Sequence, residues 1–286
     1  MRTILVTGSK GQLGNDMQII AKRYHQFSYI FTDVDELDIS DPAALELFFS
    51  ENKIHYVVNC AAYTAVDKAE EEQELCFKIN GQAVKVLGEA AAKAAAKIIH
   101  ISTDYVFDGT AYLPYTEDMP VCPVSVYGQS KLAGEIALLS VCPDALIIRT
   151  SWLYSSFGNN FVKTMLRLGK ERDRLQIVAD QIGSPTYAGD LADAIMKIIS
   201  ADQFVPGIYH YSNEGVCSWY DFTKAILRVA GINCDVLPIE SKAYPAKAPR
   251  PYYSVLNKQK VKMTYHLDIP YWEESLVRCI SILFVK

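Results

Sequence analysis

Residues Arg2–Gly14, RTILVTGSKGQLG, decide how the rest of the chain is read. A short run of branched apolar residues passes directly into a turn carrying Gly8, Gly11 and Gly14, and a helical pattern follows. A buried strand that opens a helix through a glycine turn can hold a dinucleotide. Glycine permits the tight turn and lets backbone approach a pyrophosphate closely, while the helix N-terminus faces the negative charge. A glycine triplet alone is weak evidence, and its other reading is a turn of purely structural use. Here strand and helix flank it as the motif requires.

Similar runs recur at SYIFTDV, IHYVVNCAA, AKIIHISTD and DALIIRTSW, each short, branched and nearly continuously apolar. Such strands belong in a parallel sheet covered on both faces. Helical stretches lie between them: one opening at Asp41-Pro42, an alanine-rich one over Ala83 to Ala96, and one carrying Tyr127 and Lys131. The alternation predicts an α/β fold, a Rossmann-type doubly wound parallel sheet. Beyond about residue 155 glycine and proline become frequent, with helical segments at Asp190 to Ser200, Ser218 to Ala230 and Trp272 to Leu283. We therefore expect a dinucleotide-binding domain over 1–155 and a smaller, mainly substrate-binding α/β region over 156–286, with the chain free to cross between them. A cleft would lie between that region and the carboxyl ends of the strands.

Composition narrows the function classes. Of 286 residues, 50% are hydrophobic and 21% charged, the balance of an ordinary globular protein. A net charge of −5 without any basic block argues against nucleic acid. Seven dispersed cysteines without a CxxC fit reduced thiols better than disulfides or a zinc site. No apolar run approaches membrane-spanning length, so no membrane partner and a cytoplasmic location are expected.

Candidate site residues follow from strand ends. Asp33 stands nineteen residues beyond Gly14, where a carboxylate can accept from ribose hydroxyls and repel a 2′-phosphate, favouring NADH over NADPH. Asp35 and Asp38 compete for that role, and Asp33 could instead cap a turn. Asp38 and Ile39 would neighbour the adenine, and small Ala61 and Ala62 would let a cofactor lie against backbone. The fourth strand ends at Ser102 and Thr103, hydroxyls that either enter the crevice or cap the next segment. Tyr127 and Lys131, at i and i+4, share one helix face. A phenol, with reference pKa of about 10, needs stabilisation of its anion to move protons at neutral pH, and a lysine one turn away supplies charge. Tyr127 could then protonate a carbonyl oxygen held by Thr103 while a nicotinamide delivers hydride, with Lys131 on the ribose.

These motifs together are recognisable. GSKGQLG, CAAYTAVDKAE, STDYVFDG, VYGQSKLAGE, IIRTSWLY, DQIGSPTYAGDLAD and RPYYSVLN resemble those of the extended short-chain dehydrogenase/reductases, and within them the dTDP-4-dehydrorhamnose reductase family. The resemblance covers nearly the whole chain. It implies reduction of the 4-keto group of a dTDP-sugar by NADPH or NADH, to make activated L-rhamnose for cell-surface polysaccharide. It also implies Thr103, Tyr127 and Lys131 as catalytic residues. Gly11, Gln12, Leu13, Asp33, Asp38, Ile39, Ala62, Tyr63 and Thr64 fall on its cofactor positions, and Val66, Asp67, Asp104 and Trp152 on its substrate positions. An indole suits a sugar face, and core packing is the other reading of Trp152. Arg250 could meet the diphosphate through its guanidinium fork, or be a solvated surface arginine.

Some relatives form dimers around Mg2+ held by acidic residues near the first helix and a GDLAD-like segment. Only part of that set, Asp16 and Asp190, is present here, so a homodimer stays open and a metal bridge does not follow. Two other functions fit the same residues: a non-catalytic NADP-binding accessory subunit, like the methionine adenosyltransferase beta subunit, and a reductase or epimerase of another nucleotide sugar.

Overall fold

Ile4, Leu5 and Val6 are completely buried, as an unbroken apolar run demands when side chains leave a strand on both faces. The computed structural model describes residues 1–285. In chain order its central elements are β1 (Arg2–Thr7), α1 (Gln12–Ala21), β2 (Phe27–Thr32), α2 (Pro42–Glu51), β3 (Tyr56–Asn59), α3 (Ala83–Lys93), β4 (Lys97–Thr103), α4 (Val126–Val141), β5 (Leu146–Thr150), α5 (Ala188–Ser200) and β6 (Gly207–His210). The strands form one sheet in the order β6-β5-β4-β3-β1-β2, every pair parallel. Strand order reverses between β1 and β3, the switch point at which ligands enter such sheets.

Helices seal both faces. Leu13, Met17 and Ile20 of α1 pack with Leu191, Ile195 and Ile198 of α5 on one side. Leu45, Val84, Leu87 and Leu138, from α2, α3 and α4, pack on the other. Local chemistry sets the helix starts. Asp41 accepts from the Ala43 and Ala44 N–H groups with Pro42 at the first position. Ser125 accepts from Gly128 N–H at the head of α4.

The helix expected over Ala83 to Ala96 differs at both ends. It ends at Lys93, with Ala95 in the left-handed region at φ 53°. It continues an earlier helix, Gln73–Phe77, through a π-turn at Lys78–Gln82. The π-turn carries Asn80, completely buried. A Cβ at Gly134 would sit 2.0 Å from the Asn80 carbonyl oxygen, so glycine is what lets α4 come this close.

After residue 156 the chain returns to the sheet, since α5 lies against α1 and β6 is the edge strand beside β5. A third core, with Tyr154, Val162, Phe222 and Trp272, gathers the helices Phe161–Glu171, Trp219–Val229 and Trp272–Val285. Among the described residues no helix is long and apolar enough to cross a membrane.

Candidate active site

At the switch point the glycines are sterically required. Gly8 has φ +65°, and a Cβ there would meet Ala61 N at 2.6 Å. At Gly14 a Cβ would meet the Gly8 oxygen at 2.3 Å. Gly11 precedes α1 without a side-chain cap, so the donors of the first turn are presented to an anion. This cradle fits a pyrophosphate. Gln12 holds the next loop through Asn160, whose Nδ2 donates to Gln12 Oε1 at 2.9 Å. Leu13 is core, so only its backbone faces outward.

Asp33 lies one residue past β2, and its carboxylate accepts from Lys10 N–H and Val34 N–H, both at 2.9 Å. It ties the glycine turn to the second strand. Asp38 accepts from Ser40 N–H (2.8 Å), which holds its carboxyl below the usual range, and Ile39 is buried. Ala62 and Tyr63 are half-buried and Thr64 is exposed. The Tyr63 loop is clamped by Asn80, which accepts from Tyr63 N–H (2.8 Å) and donates to Tyr63 O (3.0 Å).

Register places Thr103 at the carboxyl end of β4, opposite Thr150 of β5. Its hydroxyl donates to Asp104 Oδ1 (3.0 Å) and accepts from Tyr105 N–H (3.2 Å), and it lies beside the Tyr127 phenol. Lys131 is buried and donates to Ile101 O at 2.7 Å, with His100 Nε2 at 3.3 Å. The expected lowering of the phenol by Lys131 is not what the structure has. Desolvation pushes the Tyr127 phenol up, opposed by Thr103. Desolvation also brings Lys131 down to about 8, against the pull of Glu135. The reason is geometric: the lysine nitrogen is turned to the β4 backbone and His100. Thr103 likewise has its hydrogen committed to Asp104. Burial raises Asp104 to about 7, with Ser254 and Thr103 opposing.

Beneath this group lies a buried ion pair, Glu135 of α4 with Arg149 of β5, joined at 2.7 and 3.0 Å. Ser102 also donates to Glu135 (2.5 Å), so it faces the pair and not the crevice.

The residues expected on the substrate side come from distant segments. Arg250 is no solvated arginine, because it pairs with Asp67 at 2.6 Å and lies 3.4 Å from the Tyr105 hydroxyl. Asp67 also accepts from Ala248 N–H (3.1 Å), and Val66 beside it is half-buried. Tyr105 meets Tyr127 edge to face at 5.4 Å, linking this pair to the phenol. Trp152 adopts φ 49° and stacks on Trp219 at 3.5 Å. A Cβ on Gly183 would strike the Trp152 ring at 2.6 Å and Ser254 Oγ at 2.8 Å, and Ser254 lies near enough to Asp104 to oppose the rise of its carboxyl. Trp152 is thereby tied to the Thr103–Tyr127 group.

Asp16 and Asp190 are engaged internally. Asp16 accepts from Ser155 (2.5 Å), and Asp190 accepts from Arg278, Asn213 and Ser275 at 2.5–2.8 Å. Among the described residues no group of three or more His, Cys, Asp or Glu is placed to hold a metal ion. Sequence reasoning missed His100, Asn80, Tyr105, Trp219 and Ser254. Only Tyr105 carried a signal, its place beside Thr103 and Asp104.

The model of the family described as RmlD substrate binding domain matches residues 1–284. The dTDP-4-dehydrorhamnose reductase of Aggregatibacter actinomycetemcomitans is 40% identical, covering 96% of this chain and 97% of its own. The crystal structure of a dTDP-4-dehydrorhamnose reductase from Clostridium acetobutylicum has 45% identity and a TM-score of 0.94 over 99% of both chains. One from Bacillus anthracis, in complex with NADP, has 40% identity and a TM-score of 0.95, covering 99% of this chain and 100% of its own.

Proposed function

The chain belongs to the RmlD substrate binding domain family, and from that premise we propose that it is a reductase of the 4-keto group of dTDP-4-dehydro-β-L-rhamnose. Its product is dTDP-β-L-rhamnose, a precursor for polysaccharide. The observation that carries this reading is the junction of Thr103, Tyr127 and Lys131 at the carboxyl ends of the strands, in the same sheet whose switch point bears the glycine cradle.

When bound, the reduced nicotinamide supplies hydride to the carbonyl carbon. Tyr127 gives its phenolic proton to the carbonyl oxygen, and Thr103, whose hydroxyl hydrogen otherwise rests on Asp104, turns to hold that oxygen. Lys131 meets the nicotinamide ribose, and as an ammonium it stabilises the phenolate left behind. The backbone of Gly11, Gln12 and Leu13 holds the pyrophosphate, and Gly8 and Gly14 make room for it. Asp33 faces the adenosine ribose, Asp38 and Ile39 the adenine, and Ala62, Tyr63 and Thr64 the other wall of the cofactor. Val66, Asp67, Asp104 and Trp152 face the sugar nucleotide, and Arg250 takes the diphosphate through the donors that Asp67 leaves open. On this reading the residues beyond 155 that do not return to the sheet form the substrate side. Either NADH or NADPH is used. Asp33 disfavours a 2′-phosphate, while the nearby Lys10 ammonium, held by Asp35 and Glu36, favours one.

The test incubates the protein with enzymatically generated dTDP-4-keto sugar and each cofactor, following loss of reduced-nicotinamide absorbance and identifying the product. Absence of oxidation with both cofactors sinks the reading. An epimerised or differently reduced sugar moves it to another nucleotide sugar.

A further inference from the structure

His100 is completely buried in β4, and no step above uses it. Register fixes its neighbours, because Thr7 stands opposite Asn59 and Asn59 opposite His100 across three adjacent strands. Thr7 Oγ1 donates to Asn59 Oδ1 at 2.8 Å, and the same oxygen accepts Ala61 N–H at 3.1 Å. A backbone N–H can only donate, so the Asn59 amide is pinned with its oxygen to Ala61 and its NH2 to the imidazole. Asn59 Nδ2 lies 3.0 Å from His100 Nδ1. Nδ1 must therefore accept, and the neutral ring carries its proton on Nε2. Burial keeps the ring neutral by holding His100 well below its usual value. Nε2 is the atom 3.3 Å from Lys131 Nζ.

An ammonium has donors only, so against an Nε2–H it gains nothing and is repelled. An amine has a lone pair that this N–H can fill, and it still donates to Ile101 O. We propose that His100 is a positioning residue whose Nε2–H favours Lys131 as the amine in the cofactor-free protein, so that on the alkaline side of neutrality cofactor binding draws in a proton. The inference rests on the reading that Lys131 meets ribose hydroxyls, which accept from the ammonium in place of His100.

The other groups around Lys131 leave its titration clear. Glu135 is bound to Arg149 and Ser102. Burial raises the Cys60 thiol to about 12 and also raises Cys76. The Tyr127 phenol is raised as well. Asp104, beyond Thr103, changes charge near 7, whereas Lys131 does so near 8.

Two measurements test this. Heteronuclear NMR of isotope-labelled histidine in the cofactor-free protein reads the tautomer directly, with His100 expected to show a bare Nδ1 and a protonated Nε2. Asn59→Asp keeps an oxygen for Ala61 and Thr7 but sets a second oxygen against Nδ1. It draws the proton there and turns the Nε2 lone pair to the ammonium. Calorimetry of NADPH and NADH binding in buffers of different ionisation enthalpy then counts protons. The wild type is expected to take up most of a proton at about pH 9, with affinity falling as pH rises through Lys131's titration. In Asn59→Asp the onset moves up by about one pH unit or more, and uptake at that pH falls to about half or less. His100→Gln, whose carbonyl can accept from the ammonium, shifts the onset the same way and serves if Asn59→Asp fails to fold. A protonated Nδ1 in the wild type, or cofactor binding with equal proton uptake in all three proteins, overturns the proposal. Failure of both cofactors to bind overturns instead the reading of Lys131 as a ribose ligand.

Discussion

The two sides of the site are built differently. The glycine cradle proposed for the cofactor's pyrophosphate is made by neighbours in sequence: Gly8, Gly11 and Gly14 form one turn, closed by Asp33 through a contact to Lys10 N–H at 2.9 Å. The side proposed for substrate is made by residues far apart in sequence. Asp67, Tyr105, Trp152, Gly183, Trp219, Arg250 and Ser254 come from separate segments of the chain, and meet only through long-range packing. A contiguous cradle depends on local backbone geometry, whereas a dispersed one depends on long-range packing. The first should be damaged by one added methyl group, the second by loss of a single ion pair.

Mutations can separate the two sides, and the largest effect belongs to the residue between them. Tyr127→Phe is expected to cost about 10²–10⁴ in turnover while cofactor binding, followed by fluorescence titration, is unchanged. Wild-type-like turnover would remove Tyr127 as the acid. Next comes the buried pair beneath both sides. Arg149→Met strands the Glu135 carboxylate, which is 2% exposed, and is expected to lose about 3–5 kcal/mol of stability in urea unfolding. The double variant with Glu135→Leu should recover most of that loss, and no recovery would mean that packing, not charge, is at stake.

Arg250→Ala should raise KM for the sugar nucleotide about tenfold to a hundredfold, the worth of a charged hydrogen bond, without moving cofactor affinity. An unchanged KM takes Arg250 off the diphosphate. Equal changes in both constants would say that the two sides are not separable. The smallest effect is on cofactor choice: Asp33→Ala should move the NADH/NADPH ratio of kcat/KM toward NADPH by about fivefold. An unmoved ratio places Asp33's role in holding Lys10 and not in reading the ribose.

The same contrast explains what sequence reasoning could reach. β1 through β5 were readable because each is a continuous apolar run, and the glycine turn because its context is local. The edge strand β6, GIYH, is too short and mixed to stand out, and its paired residues in β5 lie 61 positions back in the chain, as Gly207 does from Leu146. Tyr127 and Lys131 were found from their spacing, but the state of Lys131 was not. That depends on His100, Asn59 and Ala61, whose approach is a matter of strand register. Arg250 could be weighed as an anion ligand, yet its partner Asp67 lies 183 positions away. The π-turn that buries Asn80 lies inside an otherwise helical stretch, where composition marks only a longer helix.

The stacked indoles have an optical consequence. Of three tryptophans, Trp152 and Trp219 lie 3.5 Å apart and nearly parallel, while Trp272 is buried edge-on against Phe222. Indoles in face contact share excitation, so emission from the pair reports on whatever covers or displaces the Trp152 ring, above a steady background from Trp272. On the proposed function the protein thus carries an internal probe of sugar binding at Trp152, readable without label and at wavelengths where a reduced nicotinamide can be followed alongside it.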